Sequence, residues 1–190
     1  MPLHTLYLVR HGQYDEQDDG GLTKTGRIQA DLAARALAHV RVGTIYTSTL
    51  RRALETTEAF KKRFPKVPVK PMHLLREAIP TAIPRMPDYA PRQRIRADRA
   101  RAEAAFEKLF RPVRRSRVDV VIAHGNLIRF FACRALEIEP VTWVKLGFIH
   151  CSIIEVVIES NGYMRLRTFN ETHHLPKKLR TVSLAVLKQD

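Results

Sequence analysis

Apolar positions along the chain fall into two patterns: short dense runs, and longer stretches where they recur every three or four residues. The first reads as buried strand and the second as amphipathic helix. Leu6-Tyr7-Leu8-Val9 is the first dense run, followed by a loop rich in Asp and Gly over residues 15–21. Thr23 is placed to cap a helix reaching toward Val40, with Ile28, Leu32, Ala36 and Val40 on its apolar face. Residues 44–47 read as a short strand, 50–64 as a helix closed by Pro65, and 67–72 as another short strand. Pro80, Pro84, Pro87 and Pro91 make 79–91 irregular. A basic helix is expected over 98–110, with Ala102, Ala105, Phe106 and Leu109 as its stripe. A buried strand (118–123) and a helix (127–136) come next. Residues 151–158 and 163–169 flank Asn161-Gly162, a hairpin signal.

Strands alternating with helices specify an α/β fold. The expected form is a three-layer sandwich: a mostly parallel central sheet, helices on both faces and a C-terminal antiparallel hairpin. At 190 residues the chain fits one domain, 1–190, with 175–190 a tail of unassigned role.

Composition narrows the partners. Lys and Arg number 33 against 19 Asp and Glu, for a net charge of +14. Such a charge draws anions, whether nucleic acid, acidic membrane or phosphorylated substrate. Aromatic residues are spread thinly, with no stacking platform, so nucleic acid is disfavoured. Cys133 and Cys151 form no disulfide framework, and neither starts the Cys-x-x-x-x-x-Arg loop of a cysteine phosphatase. Residues 1–10 lack the features of a signal peptide, and no stretch approaches the ~20 apolar residues of a membrane span. On these grounds the expectation is a cytoplasmic protein without membrane contact. Oligomeric state is not legible.

The chemistry lies at strand ends. Arg10-His11-Gly12 follows the first strand and His124-Gly125-Asn126 follows the fourth, while Ser48-Thr49-Leu50-Arg51-Arg52 opens a helix after the second. Ligands in open α/β sheets bind at the carboxyl ends of strands, so the three turns can converge. Arginine forks and helix N-termini suit a phosphate. A neutral histidine among them can attack phosphorus, and a second can stabilise the transferring group. One carboxyl group can protonate the leaving oxygen and later deprotonate water; Glu77, closing Leu74-Leu75-Arg76-Glu77, is the best placed.

Leu8-Val9-Arg10-His11-Gly12 resembles the Arg-His-Gly signature of the histidine phosphatase, or phosphoglycerate-mutase-like, superfamily. Leu22-Thr23-Lys24-Thr25-Gly26-Arg27-Ile28-Gln29-Ala30 is similar to its Leu-Thr-x-x-Gly-x-x-Gln-Ala segment. The run 47–56 is similar to its Ser-x-x-x-Arg-Ala-x-x-Thr segment, with Arg52 as the arginine, and His124-Gly125 to its second histidine. The blocks around Gln13-Tyr14, 74–80 and 126–136 resemble the mitochondrial Ser/Thr protein phosphatase branch. The resemblance implies a metal-independent phosphatase with no cofactor, working through a phosphohistidine on a phosphoprotein. It implies His11 as nucleophile, Glu77 as proton donor, and Arg10, Arg52, His124 and Gly125 around the phosphate. His150 departs from the family pattern and receives no role.

Other readings stay open. The same pocket serves a phosphatase or mutase for a small metabolite, and the net charge also fits an inactive anion or nucleic-acid binder. Arg92, Arg94, Arg96, Arg99 and Arg101 read equally as a collar for an acidic substrate and as a solvated helix face. Asp15, Glu16, Asp18 and Asp19 lack metal-ligand spacing and read as a solvated loop, and His173-His174 reads as a solvated pair.

Overall fold

The computed structural model describes residues 1–16 and 20–182. Asp18, Asp19 and the tail from 183 onward lie outside the described residues. Six strands form one sheet in the order β3-β2-β4-β1-β5-β6. The strands are β1 (His4–Arg10), β2 (Val42–Ser48), β3 (Val69–Met72), β4 (Arg117–Ala123), β5 (Ile153–Ile158) and β6 (Met164–Glu171). β1 to β4 pair in parallel, while β5 is antiparallel to both β1 and β6. The expected α/β sandwich with its antiparallel hairpin is therefore observed. Gly162 takes φ 89° at the hairpin turn, a value that suits glycine.

Alternating strand residues feed two cores. On one face Leu6, Leu8, Val121 and Ile154 pack with α3 (Arg92–Leu109) and α4 (Gly125–Ala135) through Phe106, Leu127 and Phe131. On the other, Val9, Ile45, Val120 and Ile122 pack with α1 (Lys24–Ala36) and α2 (Arg51–Arg63) through Ala33, Ala34 and Phe60. No helix among the described residues is long and apolar enough to cross a membrane.

Three local expectations change. Thr23 does cap α1, its hydroxyl accepting from the Gly26 N–H, but the helix ends at Ala36 and its buried face is Gly26, Gln29, Ala30, Ala33 and Ala34. Ile28, assigned to the apolar face, is 51% exposed. The small residues win because α1 lies close against α2 and the loop after β1. Helix α3 starts six residues before the expected position, at Arg92 directly after Pro91, because proline suits the position that opens a helix. Part of the unplaced tail is ordered: Leu175 is fully buried and 177–179 form a 3₁₀ turn.

Candidate active site

Strand register builds the site. Arg10 pairs with Ala123, so the next residues, His11 and His124, leave adjacent strands together with ring centroids 5.0 Å apart. Thr47 pairs with Ile122, which brings Ser48 beside the end of β4. Its Oγ lies 2.7 Å from His124 Nε2. Helices α2 and α4 begin at these same ends, so their N-termini frame the site.

The state of His11 follows from its contacts. Its Nδ1 is 2.8 Å from the Gly12 carbonyl oxygen, which only accepts, so Nδ1 carries the proton. Nε2 is then a bare lone pair, and it accepts from Arg52 Nε at 3.1 Å. The Arg52 guanidinium lies over the Tyr14 ring, 4.6 Å from its centre, which fixes the fork against the nucleophile. Burial, then the neighbouring His124, Arg10 and Arg52, hold His11 well below the ordinary histidine range. His124 is lowered in the same way by burial and then by Arg52 and Arg10. Both rings are neutral at pH 7. His124 Nδ1 is buried and has no hydrogen-bond partner among the described residues.

Arg10 is buried, donates to the Phe148 carbonyl, and is pushed down by burial to about 10. Gly125 opens α4 beside it; a Cβ there would come within 3.2 Å of Arg10 Nε. Glu77 Oε1 accepts from the N–H groups of Ala78 (3.1 Å) and Leu127 (3.3 Å). Burial raises its carboxyl above the usual glutamate range, against the opposing pull of that Ala78 hydrogen bond and of Arg52 and Arg10. Arg10, Arg52, Glu77 and Gly125 share the lining of one open cavity of about 440 Å³ with Tyr14 and Asn126. His11 adjoins that lining through its hydrogen bond with Arg52, and His124 precedes Gly125 in the chain. All six residues singled out in the sequence are thus brought together.

The second motif is a brace rather than a ligand. Gln29 Oε1 accepts from the Gln13 N–H at 2.7 Å, and Thr23 Oγ1 donates to Gln13 Oε1 at 2.8 Å. Gly12 N–H donates to Thr56 Oγ1 at 3.0 Å. Gly26 must lack a side chain because a Cβ would sit 1.9 Å from the Gln13 carbonyl oxygen.

The basic cluster divides, and neither reading of it holds throughout. Arg101 donates to the carbonyls of Arg76 (2.6 Å) and Glu77 (2.9 Å), so it buttresses the glutamate loop. Asp98, bridged to Arg101, accepts from Ile79 N–H. Arg99 pairs with Glu103, Arg94 lines the cavity, and Arg92 and Arg96 are exposed. The reading of His173-His174 as a solvated pair needs correction: His173 is exposed beside Glu171, but His174 is half-buried and donates from Nε2 to the Cys151 carbonyl at 2.9 Å. Asp15 and Glu16 are exposed, in line with the reading of a solvated acidic loop, and Glu16 also lines the cavity. Both cysteines are buried free thiols, and burial pushes the Cys151 thiol up.

Sequence reasoning passed over Tyr14, Ser48 and His150 as site neighbours. Ser48 was visible inside a matched motif. His150 is buried with its ring centre 5.6 Å from His11, and burial and Arg10 lower it to about 3. Its place comes from the strand-order jump that sets β5 beside β1, which no local pattern announces.

The family model described as histidine phosphatase superfamily (branch 1) matches residues 6–81 and 82–172. The chain belongs to the histidine phosphatase superfamily. Among curated superfamily members it is 36% identical over 183 residues to mouse serine/threonine-protein phosphatase PGAM5, mitochondrial, covering 90% of this chain and 64% of that protein. The human protein of the same name is 35% identical, with 90% and 63% covered. The chain spans just under two thirds of the length of these relatives. Among solved structures, Plasmodium falciparum phosphoglycerate mutase superposes with TM-score 0.67 at 29% identity, covering 96% of this chain and 99% of that one. Bacillus stearothermophilus YhfR, at 22% identity, shares the fold with TM-score 0.76, covering 91% and 100%. The mouse and human PGAM5 proteins are mitochondrial by name, which overturns the cytoplasmic expectation. That expectation rested on two absences, of signal-peptide features in residues 1–10 and of a membrane span, and neither absence decides a compartment.

Proposed function

We propose that this histidine phosphatase hydrolyses phosphomonoesters through a phosphohistidine on His11 Nε2, and that its substrate is a phosphoserine or phosphothreonine protein. The observation that carries the chemistry is the His11 tautomer. The Nδ1–H bond to Gly12 leaves Nε2 unprotonated, its lone pair accepting from Arg52 Nε beside the His124 ring. The mitochondrial Ser/Thr phosphatases at 35–36% identity support the protein substrate.

The phosphoryl group binds between Arg10, Arg52 and the N–H groups opening α4, with the phosphorus facing Nε2. Nε2 forms the N–P bond as the P–O bond to the leaving group breaks. Glu77, whose carboxyl burial shifts toward the protonated form, donates a proton to the leaving oxygen. Ser48 Oγ accepts from the Leu50 N–H at 3.2 Å, so its own hydroxyl hydrogen is free to donate to His124 Nε2. His124 Nδ1–H is then the donor for an equatorial oxygen. That supplies the partner it lacks. In the second half, the Glu77 carboxylate takes a proton from water as the water oxygen attacks phosphorus and the N–P bond breaks. The mechanism calls on no metal and no cofactor.

The test is release of phosphate from an aryl phosphate and from phosphopeptides in the presence of chelator, beside His11→Ala. Turnover that survives chelation, disappears in His11→Ala and extends to phosphopeptides supports the proposal. A single small metabolite turned over far above all peptides defeats the protein-substrate part. Unchanged turnover in His11→Ala defeats the mechanism.

A further inference from the structure

The end of the sheet away from the site carries a second cationic cavity. Strand β1 runs from His4 to Arg10, about 20 Å, so a feature at His4 is remote from His11. There Arg111, Arg114 and Arg115 of the loop between α3 and β4, with Arg117 at the start of β4, surround a groove of about 800 Å³, and Lys108 lies on the adjoining turn of α3.

The loop is fixed at both ends. His4 Nδ1 donates to the Arg111 carbonyl at 3.0 Å, Ser116 Oγ accepts from the Leu3 N–H at 3.1 Å, and Arg117 N–H donates to the Leu3 carbonyl at 3.0 Å. The groove's carboxylate, Asp119, is 1% exposed and already engaged by His4 (2.9 Å) and Arg117 (2.7 Å). Elsewhere arginines pair with acids, as Arg51 does with Glu55, Arg99 with Glu103 and Arg165 with Glu159. Lys108, Arg111, Arg114 and Arg115 have no acidic partner among the described residues. Clustered like charge with no counter-charge raises the free energy of the folded state until an anion binds.

We infer that this groove is a binding site, separate from the active site, for a compact anion carrying several phosphates. Arginines outnumber lysine four to one here, and their planar forks match phosphate oxygens. The concave shape holds a short phosphate chain, whereas an acidic peptide spreads its charge one residue at a time. The inference does not depend on the proposed catalytic reading.

The experiment is calorimetric titration of inorganic tripolyphosphate, in chelator, into the full chain, Arg114→Ser/Arg115→Ser, and Arg52→Ala. Binding should persist in Arg52→Ala and weaken about tenfold or more in the double variant, since each lost ionic hydrogen bond matters. Both altered side chains are exposed, so the double variant should keep its fold by circular dichroism and the wild-type rate of aryl phosphate release. Lys108→Ser, exposed on the last turn of α3, should weaken binding in the same direction. Equal affinity in the double variant overturns the inference, as does binding lost only in Arg52→Ala, which would put the anion in the active site. Duplex DNA that outcompetes tripolyphosphate for the groove also overturns it.

Discussion

Replacing Gly26 by alanine separates the brace from the chemistry. The new Cβ would lie 1.9 Å from the Gln13 carbonyl oxygen and 3.0 Å from the Gln13 nitrogen, against about 3.4 Å for ordinary contact. Backbone cannot rotate aside as a side chain does, so α1 and the loop after His11 must part by about 1.5 Å. Overpacking of this kind costs about 1–3 kcal/mol. The movement is delivered two residues from His11, whose Nδ1 is held by Gly12. A 1 Å misplacement of a reacting group costs about 100-fold. Gly26→Ala is therefore expected to lower kcat about 100-fold while unfolding at a lower denaturant midpoint. The assays are aryl phosphate turnover and urea unfolding, with Gly147→Ala, where nothing lies within 4 Å, as the stability control. A Gly26→Ala protein with wild-type kcat and midpoint refutes the reasoning.

Glu77→Gln removes the proton donor and should cut kcat about 100-fold or more on an alkyl phosphate, but far less on an aryl phosphate whose leaving group needs no proton; equal losses on both would remove Glu77 from that role. Because Glu77 must be protonated and its carboxyl is raised, kcat/KM on an alkyl phosphate should fall as pH rises through that raised value, and a rate rising steadily to pH 9 contradicts this. Ser48→Ala frees the His124 ring and should lower kcat about tenfold with a smaller change in KM; rescue by Ser48→Thr separates the lost hydroxyl from a packing defect. His150 has a folded value of about 3 against an ordinary value near 6.5, so between the two the unfolded chain binds more protons. The stability from keeping it neutral is complete above pH 6.5 and is lost as pH falls toward 3. By pH 4.5 the loss is about 2–3 kcal/mol, and His150→Gln should flatten this part of the urea-unfolding profile.

How much was legible depended on the range over which each signal acts. Strand and helix existence came from local periodicity, and the residues of the candidate site sat in four short segments that follow strands. Helix α1 shows the limit: Ile28 fits an apolar stripe as well as Ala33 does, and only close packing against α2 makes the small residues the buried ones. The arginines of α3 show another, since identical side chains serve as a loop buttress at Arg101, a cavity wall at Arg94 and solvated surface at Arg96. Composition is blind to which end of the sheet a charge occupies.

The sequence by itself determined the elements, the α/β class, the strand-end histidines and arginines, and the family. Tertiary structure decided that β4 inserts between β1 and β2, which is what sets His11, His124 and Ser48 side by side. It also decided the His11 tautomer, the burial that raises Glu77, the closeness of His150, and the unpaired cations at the far end of the sheet. These are properties of distance and solvent exclusion between residues far apart in the chain, and such terms exist only once the sheet has closed around its two cores.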